Sequence, residues 1–106
     1  MRIYDVFVMM FYAFQSEYQE SPNNNELRLF LSDLNPFLFY GEGSAVQAEY
    51  TEFKEAFDKY GTFEADGYDF VKKYIQEHCT ASIRKVFEPI TKEVWQEAWE
   101  EYKKRL

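Results

Sequence analysis

From Ile3 to Tyr18 the chain is apolar on nearly every side. Ile3, Phe7, Met10, Phe11, Phe14 and Tyr18 recur at helical spacing, and Val6, Val8, Met9, Tyr12 and Ala13 fill the other faces. Val, Ile, Tyr and Phe also favour strands, but a strand usually stops within eight residues, so the length selects a helix from about Arg2 to Gln19. A helix with no polar face cannot sit at a surface. It must be surrounded by other elements, and the rest of the chain has to supply them.

The remaining segments have the right form to do so. Ser21-Pro-Asn-Asn-Asn25 breaks the first helix, because proline lacks a donor and asparagine competes for local backbone hydrogen bonds. A second helix is expected over about Asn25–Leu34, with Leu27, Phe30, Leu31 and Leu34 inward. It stops at Asn35-Pro36, since the residue before proline is pushed out of the α region. Ser44-Ala-Val-Gln47 reads as a capping box opening a third helix. Val46, Tyr50, Phe53, Phe57 and Tyr60 form its apolar stripe. Glu49, Glu52, Glu55 and Asp58 lie opposite, and Gly61 is placed for a left-handed cap. Asp66 or Gly67 opens a fourth helix that keeps Tyr68, Val71, Ile75, Cys79, Ser82 and Val86 in phase to about Phe87. Thr80-Ala-Ser82 is the place where it would break. Thr91 caps a last helix over about Lys92–Arg105, with Trp95, Ala98, Trp99, Tyr102 and Leu106 inward. Glu100 with Lys104 and Glu101 with Arg105 are i,i+4 pairs in the favourable orientation. The expectation is a single all-α domain over residues 1–106, a compact bundle or orthogonal array of four to five helices. Eleven Phe, nine Tyr and two Trp allow few positions to fill a core without staples.

Leu31-Ser-Asp-Leu-Asn-Pro-Phe37, followed by Gly43-Ser-Ala45 and a Tyr-x-x-Phe helix, resembles a pattern in small uncharacterised bacterial helical proteins. The resemblance covers roughly residues 27–75. It implies a helical bacterial accessory protein and brings no activity or site residue.

Composition removes several function classes. The chain carries a net charge of -7. Residues 41–69 hold eight acids against two bases, while residues 70–106 hold eight bases against six acids. That acidic middle disfavours a nucleic-acid backbone, which demands clustered Lys and Arg, and suits a basic protein partner. The longest apolar run, Val6–Phe14, is less than half of the roughly 20 residues a membrane-spanning helix needs. It also lacks the positive flank and cleavage site of a signal peptide, so the expected location is the cytoplasm. The lone Cys79 forbids an internal disulfide and fits a reducing compartment.

Catalytic and metal-binding constellations fail on spacing. Read as a calcium loop from Asp58, the third, fifth and sixth positions are Tyr60, Thr62 and Phe63. Read from Thr62, the last position is Lys73, where a bidentate acid is required. Glu49 and Glu52 are one turn apart as in di-iron bundles, yet the only histidine, His78, follows Ile75 at i-3. His78 and Cys79 are adjacent on a helix, about 100° apart, and do not face each other. No phosphate loop, nucleophile elbow or dinucleotide fingerprint occurs. The reading is therefore no enzyme, no metal and no cofactor.

What remains is the segment Asn35–Ser44, where turn residues and a dense apolar cluster are fused. Helix ends fix it on both sides, and four large apolar side chains, Phe37 to Tyr40, lie between. Phe37 and Phe39 are expected to plug the core, since exposing all four would be unusual for a soluble monomer. The candidate binding residues are Phe37, Phe39, Tyr40, Glu42, Glu49, Glu52 and Glu55. They suit a small acidic interaction domain, binding a basic partner or self-associating, with an immunity or antitoxin protein as one concrete version. The alternative is a small-molecule or lipid-binding helical domain, with Phe37, Phe39, Tyr12 and Tyr50 lining an aromatic pocket.

Overall fold

In the computed structural model, which describes residues 2–38, 41–60 and 66–105, the first helix is central and four other helices pack on it. This helix, α1 (Ile3–Glu20), is followed by α2 (Asn25–Leu34) and a short 3-10 turn (Pro36–Leu38). Then come α3 (Gln47–Tyr60), α4 (Tyr68–His78), α5 (Ala81–Phe87) and α6 (Lys92–Lys103). Six α-helices and no strand occur among the described residues. None of those helices is long and apolar enough to cross a membrane. The Cα radius of gyration is 12.9 Å.

The all-round apolar character of α1 is explained by its neighbours: it packs against α2, α3, α5 and α6. Asp5 to Phe11 are buried without interruption, and Phe14 is fully buried. Phe7 meets Tyr50 and Phe53 edge-on, and Phe14 meets Phe30 and Phe87. The helix boundaries follow local chemistry. Asn24 caps α2 by accepting from the Leu27 N–H at 3.1 Å, and Thr91 caps α6 by accepting from Val94 at 3.2 Å.

The expected four to five helices become six because the long fourth helix is cut in two. Cys79 is extended (φ -107, ψ 157), and the Thr80 hydroxyl accepts from the Ile83 N–H at 3.3 Å, opening α5. A threonine that caps offers the backbone a better arrangement than continuing the helix. The cut also shifts the inward face by one residue. Ile83 and Phe87 are buried, whereas Ser82, in phase with α4, is exposed.

Four further expectations are corrected. Ser44 does not make a capping box with Gln47. Its buried hydroxyl donates to the Val46 carbonyl at 2.6 Å and accepts from the Tyr50 N–H at 3.1 Å, so α3 begins at Gln47 itself. Val46 is exposed, and Ala56 joins Tyr50 and Phe53 as the buried stripe of α3. In α6 the ion pairs form one residue closer than expected, Glu100 with Lys103 at 3.1 Å and Glu101 with Lys104 at 3.2 Å. Ala98 is exposed, and Gly61 and Leu106 lie outside the described residues.

Candidate functional site

The connection from α2 to α3 is tied shut at its base. The Ala45 N–H donates to the Asn35 carbonyl and the Val46 N–H to the Asp33 carbonyl, both at 3.0 Å. Asn35 also turns the chain after α2, its side-chain oxygen accepting from the Phe37 N–H at 2.9 Å. Pro36, Gly43 and Ser44 are buried. Phe37 and Leu38 are not: they are 59% and 70% exposed, against the expectation that Phe37 plugs the core. The reason is that α1 already fills its own side. The Phe37 ring can only lie on top of Phe11 and Tyr12, with centroids 6.0 and 5.9 Å apart. Phe39 and Tyr40 fall outside the described residues.

The other candidate residues separate into two places. Glu42 pairs with Arg2, which also holds the buried Asp5, and Asp5 in turn accepts from the Tyr102 hydroxyl at 3.0 Å. Glu42 therefore belongs to a polar seam that ties the start of α1 to the end of α6. The sequence held one hint of that seam: Asp5 is the one acid in the apolar stretch from Ile3 to Phe14. Tyr50 packs with Tyr4 and Phe7, away from Phe37, so Tyr12 and Phe37 meet without it.

Glu49 and Glu52 form the second place. They are joined by Asp33 from the last turn of α2, a residue that helical periodicity on α3 alone does not bring in. Glu49 is half-buried, while Asp33, Glu52 and Glu55 are exposed. Burial raises the Glu49 carboxyl above the ordinary glutamate range, and the charges of Glu52 and Asp33 raise it further. Its place in the first turn of α3 favours the charge, but the helix end is outweighed by these effects. No cation pairs with Glu49 among the described residues. The expected solvated stripe is thus partly folded into the junction of α2 and α3.

This strain has a measurable sign. The folded chain holds the Glu49 proton more tightly than the unfolded chain. The associated stability is fully present below the ordinary glutamate value of about 4.3 and is lost as pH rises through the raised folded value. Glu49→Gln is therefore expected to be more stable than the parent at pH 7, by about 0.5 kcal/mol after solvent screening. The difference should vanish near pH 4. Thermal melts of both proteins at the two pH values check this; equal stabilities at pH 7 would remove Glu49 from the acidic cluster.

No three His, Cys, Asp or Glu side chains converge closely enough to hold a metal ion among the described residues. Cys79 is half-buried, and burial, with help from Glu49 and Glu52, pushes its thiol up to about 12. His78 stacks on Tyr74 at 4.6 Å, which occupies its ring face. A thiol protonated at neutral pH is a poor nucleophile. Comparison with protein-family models, with curated proteins and with solved structures finds no match, so no family is assigned.

Proposed function

We propose that the chain is a non-enzymatic interaction domain that binds a basic protein partner. The observation that carries this reading is the uncompensated acid cluster Asp33, Glu49 and Glu52, in which one carboxylate is half-buried and meets only like charge. A Lys or Arg brought by a partner relieves that repulsion, so binding gains where folding loses. The exposed Phe37 and Leu38 support the same reading, since contiguous large apolar side chains at a surface mark contact sites. Masking of a basic toxin, as an immunity protein does, is one form such a partnership takes.

Affinity copurification at low salt, followed by kinetic binding measurements with the isolated partner, tests the proposal. The partner is expected to be basic. Association should slow several-fold as salt rises and on joint reversal of Glu49, Glu52 and Glu55 to Lys. Salt-independent binding with unchanged association rates overturns the reading, as does the absence of any basic partner at low salt.

A further inference from the structure

The antiparallel packing of α1 and α6 leaves a groove open between them. Tyr102, near the end of α6, bonds to Asp5, near the start of α1, while Val94, near the start of α6, lies by Ser16 and Glu17, near the end of α1. Trp95 and Met9, both buried, form the floor. Tyr12 and Ala13 stand on one side, Val94 and Ala98 on the other. Val94 is 50% exposed and Ala98 is exposed, so among the described residues no element covers this face. The alanines create the groove, because larger side chains at 13 and 98 would close it. Tyr12 also carries the Phe37 ring on its flank, so apolar surface continues from the groove to the loop.

Size and charge together select the occupant. The groove encloses about 130 Å³. Drug-sized ligands and cofactors occupy roughly 300–1,000 Å³, whereas an apolar cavity of about 150 Å³ takes a single benzene-sized group. The groove therefore accepts one large apolar side chain. Glu17 lines it at the end of the α1 face that runs through Met9, Tyr12, Ala13 and Ser16. Glu17 is half-buried, and Glu20 is the charge that acts on it most. No cation pairs with it among the described residues. An acid held this way beside an apolar slot complements a cation carried next to an apolar anchor. A second copy of this chain, itself strongly acidic, is the poorer match.

We infer that the groove between α1 and α6 seats an amphipathic helical segment of a basic partner, with one apolar side chain against Trp95 and a Lys or Arg at Glu17. This rests on the interaction reading above and assigns it a second contact, distinct from the acid cluster. The helix-in-groove mode requires an anchor and a cation one turn apart, on the same face of the segment.

Selection from a displayed library of random 16-residue peptides tests the inference directly on the purified chain. Enriched peptides should share an apolar anchor with Lys or Arg three or four positions away. Their affinity should fall at least about tenfold on Ala98→Trp, which fills the groove from an exposed position, and several-fold on Glu17→Lys. Should Ala98→Trp fail to fold by circular dichroism, Val94→Asp at the half-exposed wall replaces it, with the same loss expected. No enrichment, or peptides indifferent to groove and Glu17 variants, overturns the inference. Peptides lost only on Glu49→Lys with Glu52→Lys leave the interaction reading standing and reject the groove. Loss only on the groove variants does the reverse to the acid cluster. A concentration-dependent dimer that Ala98→Trp abolishes rejects the separate partner in favour of self-association.

Discussion

Replacing Phe53 by alanine is expected to lower the melting temperature by roughly 15 °C or to leave the chain unfolded at ambient temperature. Phe53 is fully buried on α3, between α1 and α4. Its ring makes edge contacts with Phe7 of α1 at 5.2 Å and with Phe70 and Tyr74 of α4 at 5.1 and 5.0 Å. Deleting it removes the transfer free energy of the ring, leaves a cavity, and breaks three aromatic pairs in one step. Phe→Ala changes in cores cost about 3–5 kcal/mol, against a total stability of about 5–15 kcal/mol for a domain. Phe53→Leu keeps most of the volume and should lose much less. Thermal melts followed by circular dichroism decide the matter; a drop under about 5 °C for the alanine variant contradicts this packing.

Trp95 is the second large effect, and two variants separate its two contributions. The ring packs beside Tyr68 and Phe87, and the indole N–H donates to the Asp66 carbonyl at 2.6 Å. In return the Tyr68 hydroxyl donates to the Ile90 carbonyl at 2.7 Å. These bonds latch the entry to α4 against the entry to α6, and both acceptors are backbone groups of buried residues. Trp95→Ala should cost about 3–5 kcal/mol through lost burial. Trp95→Phe keeps an aromatic ring but leaves the Asp66 carbonyl unpartnered, at about 1–3 kcal/mol. Urea unfolding of the parent and both variants measures the two steps. A Trp95→Phe protein as stable as the parent shows that the hydrogen bond contributes nothing net, and that ring burial alone holds α6.

Much of the fold is legible along the chain because local rules govern where helices start and stop. Thr91 caps where its side chain predicts, Asn24 caps a helix that starts where expected at Asn25, and Asn35-Pro36 ends α2 where proline geometry requires. The α4–α5 break at Thr80 is partly visible in the run Thr80-Ala-Ser82. The shift of the inward face from Ser82 to Ile83 is not, because it depends on the angle at which α5 meets α1. The candidate site is legible in a different measure. Glu49 and Glu52 are marked by periodicity, but their neighbour Asp33 comes from another helix. Phe37 is marked as apolar, yet its exposure follows from how completely α1 is already covered. Glu17 carries no sequence signal beyond its place on the Met9–Ala13 face, and the groove it lines exists only where α6 packs across that face.

The pattern from Ile3 to Tyr18 determines by itself that this chain has a central helix and that the remaining helices must wrap it. The requirement is local: a helix without a polar face has no stable place at a surface, whatever its neighbours. The same pattern is silent about which parts of the wrapping stay open. Whether Phe37 caps the core or faces water, whether Glu49 is solvated or pressed against Asp33, and whether Ala13 and Ala98 face a neighbour or a groove are set by interhelical angles and distances. Those come from the summed packing of side chains far apart in the chain. The helices are therefore written in short-range periodicity, while both candidate contact surfaces are products of tertiary packing.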